Sequence, residues 1–167
     1  MTGTSEELAG RLHAVLLSRG QTLAVAESLT GGALGAAVTA VPGVSATFRG
    51  GVTAYATDVK ARLLGVDPDL LARVGAVDEQ VARQMARGVR DALGATYGLA
   101  TTGVAGPDPQ DGHPPGEVHL ALAGPDEVVA IALDLPGDRA RVRTEAVRRA
   151  LALALDRLGG PDESDSD

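Results

Sequence analysis

Three short stretches carry side chains able to do chemistry. "AESLTGG" holds Glu27, Ser28 and Thr30; "AYATDVK" holds Tyr55, Thr57 and Lys60; "TTGVAGPD" holds Thr101, Thr102 and Asp108. Ser28 is a candidate nucleophile, but a serine hydroxyl attacks at neutral pH only beside a base. The histidines, His13, His113 and His119, fall in a helix, a Pro-rich loop and a strand, with no ligand or triad spacing, so each reads as surface or structural. That leaves Lys60. It is the only lysine among fifteen basic residues; the other fourteen are arginine. Lysine can be deprotonated when desolvated, and arginine effectively cannot. A chain that uses arginine for surface charge still needs lysine for a general base. The plainer readings are an exposed helix lysine and a serine that merely caps a helix.

Tyr55, five residues before Lys60, is a candidate proton relay or orienting group. The turn Thr30-Gly31-Gly32 offers hydroxyl and amide donors to a phosphate or an oxyanion. Thr102 and Gly103 do so at the third stretch, and Arg139, opening the cluster "GDRARVRTEAVRR", is the candidate phosphate arginine.

These residues need a frame. Thr4 and Glu7 form a capping box before a helix with Leu8, Leu12, Val15 and Leu16 on one face, closed by Gly20. Strands are expected at 22–26, 50–56 and 96–104. A small-residue helix follows "ESLTGG" and stops at Pro42. Thr57 is expected to cap the helix carrying Lys60, with Tyr55 ending the strand before it. Asp78 caps an amphipathic helix, "EVHLALA" and "EVVAIALDL" form a hairpin, and Asp138 caps the last helix. Residues 105–117, rich in Pro and Gly, form a loop of the length that is often functional. Strands interspersed with amphipathic helices imply an α/β protein: a three-layer α/β/α sandwich around a mixed, mostly parallel sheet. In such sheets, sites gather at the carboxyl ends of strands.

Length, 167 residues, fits one domain, taken as residues 1–160, with 161–167 an acidic disordered tail. The tail holds four acids, which leaves −3 of the net charge of −7 for the body. A mildly acidic body without a basic stripe argues against nucleic acid. With no cysteine, thiol chemistry is excluded. No long apolar run and no signal-like N-terminus are present, so no membrane association and a cytoplasmic location are expected.

Taken together, "AESLTGG", "GGVTAYATDVKARLLGV", "GAVDEQVARQMARG", "TTGVAGPD", "GEVHLALA" and "GDR" resemble the C-terminal domain of the CinA (competence/damage-inducible) family, from about residue 6 to about residue 158. The longer proteins of that family carry a further nucleotide-processing domain, for which this chain has no room. The resemblance implies an α/β/α sandwich and a nicotinamide-nucleotide amidase. Such an enzyme converts nicotinamide mononucleotide to nicotinic acid mononucleotide and ammonia, in pyridine-nucleotide recycling. It also implies the nucleophile at Ser28, the tyrosine and lysine at Tyr55 and Lys60, a hydroxyl at Thr102 and an arginine at Arg139. Leu29 and Ala56-Thr57 depart from the family's usual Cys and Ser-Asn, which bears on pocket shape. No cofactor or metal is expected, and a homodimer is the oligomeric expectation. The rival readings are a Ser/Lys amidase for another substrate and a non-catalytic nucleotide-binding module linked to competence or DNA damage.

Overall fold

A computed structural model describes residues 1–159; the expected acidic tail lies outside the described residues. Five strands form one sheet: β1 (Leu23–Glu27), β2 (Phe48–Thr53), β3 (Tyr97–Gly103), β4 (Glu117–Ala123) and β5 (Val128–Asp134), in the order β2-β1-β3-β4-β5. β1 pairs in parallel with both β2 and β3, and β4 runs antiparallel between β3 and β5. Only β4 therefore opposes the common direction. The carboxyl ends of β1, β2 and β3 meet at one edge of the sheet.

Among the described residues six α-helices cover the two faces: α1 (Ser5–Arg19), α2 (Ala33–Thr39), α3 (Thr57–Leu64), α4 (Pro68–Val74), α5 (Glu79–Ala92) and α6 (Arg139–Leu158). One core joins α1, α2 and α6 to Leu23, Val25, Leu99, Leu120 and Leu122 of the sheet. The other joins α3, α4 and α5 to Ala24, Ala26, Ala100, Ala121 and Ala123. The two sets alternate along each strand, as side chains must on opposite faces of a pleated sheet. Leucine and valine fill the first face. Alanine on the second lets α5 lie close, with Val81, Met85 and Val89 turned inward at helical spacing. The approach is tight enough to exclude a single methyl group. A Cβ on Gly98 would come 2.0 Å from the Ala86 carbonyl oxygen, and one on Gly88 would come 1.8 Å from the Leu64 carbonyl oxygen. The three-layer sandwich follows.

Local signals account for most boundaries. The Thr4/Glu7 capping box is formed, and Asp78 and Asp138 accept amides at the starts of α5 and α6. Three expectations need correction. β2 ends at Thr53, so Tyr55 lies beyond the strand rather than at its end. The N-cap of α3 is Ala56, without a side-chain bond, and Thr57 is its first helical residue. α2 ends at Thr39, before Pro42, where the Thr39 hydroxyl bonds back to the Gly35 and Ala36 carbonyls. The segment between β3 and β4 is fastened at its base. Gly116 N–H donates to the Val104 carbonyl and Leu135 N–H to that of Gly116.

Candidate active site

Ser28 is the first residue past β1, and its N–H donates to the Thr101 carbonyl at 3.0 Å, extending the β1–β3 pairing by one step. Lys60 sits in the first turn of α3, and its side chain is completely buried. Its Nζ lies 2.9 Å from Ser28 Oγ, 2.7 Å from the Ala54 carbonyl oxygen and 3.2 Å from the Tyr55 carbonyl oxygen. Among the described residues Lys60 makes no salt bridge. Burial without a compensating carboxylate disfavours the ammonium. Its pKa falls from the ordinary 10.5 to about 8.

The three contacts satisfy an ammonium, which donates to all three oxygens, and the same geometry also accommodates the neutral amine. A neutral lysine has two N–H donors and one lone pair. Two carbonyls accept the donors, which turns the lone pair toward the Ser28 hydroxyl. In that form Nζ can accept the Oγ proton, and the 2.9 Å separation lies within the reach that general-base catalysis needs.

A small cleft of about 100 Å³ opens over this pair, lined by Ser28, Leu29, Tyr55, residues 103–106, Asp108, Gln110 and Arg139. It is far below the ~300 Å³ of a usual ligand pocket, so it encloses only a reacting end. Tyr55 stands at the rim, 59% exposed. Its hydroxyl accepts from Arg139 Nη2 at 3.2 Å, and Arg139 Nη1 donates to the Gly106 carbonyl at 2.9 Å. Tyr55 reaches Lys60 through its main-chain oxygen; its side chain bridges to the arginine instead.

The structure brings together Ser28, Lys60, Tyr55, Gly103, Asp108 and Arg139 and leaves Thr30, Gly31, Gly32 and Thr102 out of the cleft. Thr30 is buried with its hydroxyl 2.8 Å from that of Thr101. The buried Thr102 hydroxyl donates to the Ala76 carbonyl at 2.7 Å. Gly31 N–H is spent on the Ser28 carbonyl, and Gly32 N–H on Glu27. In the turn after Ser28 the amides of Leu29 and Thr30 have no acceptor among the described residues, and of the two only Leu29 lines the cleft.

Two further residues matter here: Glu27, which the sequence reading named without a role, and Arg143, which it did not name. Glu27 puts its carboxylate on the first amides of α2, and Arg143 reaches from α6 to the Leu29 and Thr30 carbonyls. An acid ending a wholly apolar strand was a legible signal for the first. Nothing in sequence distinguished Arg143 from its neighbouring arginines. His113 and His119 are structural, as expected: both bond the Glu117 carboxylate. Burial raises the Glu117 pKa, but the bonds from His119 and His113 outweigh it and hold the carboxylate below its ordinary value.

The comparisons with known proteins agree with one another. The profile of the CinA C-terminal domain matches residues 5–158. A CinA-like protein of Frankia casuarinae is 55% identical over 163 residues, covering 98% of this chain and 38% of that protein. A putative competence-damage inducible protein of Desulforamulus reducens is 45% identical over 155 residues, covering 93% of this chain and 37% of that protein. The chain spans less than two-fifths of the length of these curated relatives. Among solved structures, the competence/damage inducible protein CihA from Agrobacterium tumefaciens superposes with a TM-score of 0.89 at 35% identity, covering 95% of this chain and 98% of that one. A CinA superfamily protein from Enterobacter cloacae superposes with a TM-score of 0.91 at 34% identity, covering 95% and 94%.

Proposed function

The chain belongs to the CinA C-terminal domain family, and from that premise we propose that it is a serine–lysine amidohydrolase whose substrate is nicotinamide mononucleotide. The observation that carries the reading is the buried Lys60 Nζ 2.9 Å from Ser28 Oγ, with a pKa brought down to about 8.

Neutral Lys60 takes the Ser28 proton as Oγ attacks the carboxamide carbon. The oxyanion of the tetrahedral intermediate is held by Leu29 N–H, the amide that follows the nucleophile in a strand-to-helix turn. The Lys60 ammonium returns its proton to the leaving nitrogen, and ammonia departs. Water then attacks the acyl-enzyme ester, Lys60 again accepting the proton, to give the carboxylate and free Ser28. Carboxamide and water are consumed; carboxylate and ammonia are formed.

Only the reacting end of a nucleotide fits within the cleft, so its phosphate reaches the rim. Arg139 is the cationic side chain there. The N-terminus of α2 is not the phosphate site in this reading, because Glu27 occupies it. Tyr55 walls the cleft and steadies Arg139.

Among the described residues no helix is long and apolar enough to cross a membrane. The reading places the reaction in the cytoplasm and takes the protein as a homodimer, which light scattering tests. The deciding experiment is incubation with nicotinamide mononucleotide and assay of ammonia. Release that persists in Ser28→Ala refutes the nucleophile. A panel of other carboxamides that outperform the mononucleotide moves the reading to an amidase of different substrate.

A further inference from the structure

Glu27 is 2% exposed and has no salt-bridge partner among the described residues. A carboxylate in that position is costly to bury unless hydrogen bonds replace its water. The replacements are three main-chain amides: Gly32 N–H at 3.2 Å, Leu34 N–H at 2.8 Å and Gly35 N–H at 3.0 Å. An ordinary N-cap satisfies such amides from the residue just outside the helix. Here the N-cap is Gly32, which has no side chain, and the acceptor comes from the residue immediately before Ser28.

The other edge of the same turn is held with the opposite polarity. Arg143, from α6, donates Nε to the Leu29 carbonyl at 3.0 Å and Nη2 to the Thr30 carbonyl at 3.1 Å. Gly31, at φ 58°, leaves room for that guanidinium; a Cβ there would come 3.3 Å from Nη2. Glu27 takes amides, Arg143 takes carbonyls, and Ser28 sits between the two clamps.

We infer that Glu27 and Arg143 are positioning residues of the reaction, holding the turn so that Ser28 Oγ stays on Lys60 Nζ. The inference rests on the Ser28/Lys60 reading above. Neither residue lines the cleft, so their loss misplaces the nucleophile and leaves the binding surface as it was. A misplacement of about 1 Å is enough to cost about a hundredfold in rate.

The test uses a fluorophosphonate probe of Ser28, read by intact mass, beside turnover of nicotinamide mononucleotide. The variants are Glu27→Gln, Glu27→Asp, Arg143→Lys and Arg143→Gln. Glu27→Gln sets an NH2 group against amide donors and is expected to slow both labelling and kcat by about tenfold to a hundredfold. KM changes by less than about twofold, and the Lys60 limb stays at about pH 8. Arg143→Gln moves in the same direction and Arg143→Lys by less. Arg143 is only partly buried, so its variants test the inference if Glu27→Gln does not fold. Wild-type labelling and kcat in folded Glu27→Gln or Arg143→Gln overturn the inference. So does a loss that appears in KM alone. Wild-type Ser28 that ignores the probe overturns the parent reading instead, and the inference with it.

Discussion

Ser28 Oγ and Lys60 Nζ stand 2.9 Å apart, although one belongs to the turn after β1 and the other to a helix packed on the opposite face of the sheet from α2. Lys60 faces oxygens only, none of them a carboxylate: the Ser28 hydroxyl and the carbonyls of Ala54 and Tyr55. Its basicity is therefore set by dryness rather than by a neighbouring charge, and the consequences can be measured.

Lys60→Arg keeps a positive charge and removes the accessible neutral form. Ammonia release from nicotinamide mononucleotide is expected to fall by about a thousandfold or more, within the range assigned to a general base. Circular dichroism checks that the fold survives. Near-normal turnover refutes the base.

The pH profile follows from the lowered pKa. kcat/KM is expected to fall tenfold per unit below about pH 8 and to level off above it. Stability moves with it. The unfolded lysine holds its proton up to about 10.5 and the folded one only up to about 8. Between those values the unfolded chain binds more protons, so stability rises with pH. Denaturant unfolding at pH 7 and pH 10 reads this directly. Wild type is expected to gain about 2 kcal/mol relative to Lys60→Met over that interval.

Arg139→Ala separates phosphate binding from chemistry. KM for nicotinamide mononucleotide is expected to rise about tenfold or more, the scale of one lost charge-assisted contact. Hydrolysis of the riboside, which lacks the phosphate, changes little. Equal losses on both substrates in steady-state assays assign Arg139 to the shape of the cleft, through Gly106 and Tyr55, instead.

Two glycine substitutions are expected to act in opposite directions. Gly88→Ala drives a methyl group into the Leu64 carbonyl at the end of α3. It should cost about 1–3 kcal/mol of stability and lower turnover by shifting the helix that carries Lys60. Gly10→Ala, in α1 with nothing near its Cβ, should stabilise by about 0.5–1 kcal/mol at unchanged turnover. Thermal melts and ammonia assays on the pair check both.

The legible part of the sequence was the part written in local rules. Capping at Thr4, Asp78 and Asp138, the apolar period of α5 and the β4–β5 hairpin each follow from a few adjacent residues. Lys60 was legible as an exception in composition, and Ser28 from its place after a buried strand. Thr30 and Thr102 misled because a hydroxyl's partner is a tertiary fact. Their acceptors or donors, at Thr101 and Ala76, lie on other segments. Tyr55 misled in the same way: its main chain rather than its ring faces the lysine. Arg143 was invisible because five other arginines of α6 look the same in sequence.

The contacts at Gly88 and Gly98 have a further consequence. They make α5 a gauge block: one side rests on α3 at Gly88, the other on β3 at Gly98, and neither contact has room for a Cβ. Ser28 is tied to β3 through Thr101, and Lys60 rides on α3. In a saturation screen scored only on activity, these two glycines would rank beside Ser28 and Lys60. They would look like catalytic positions while doing nothing but keep a gap closed.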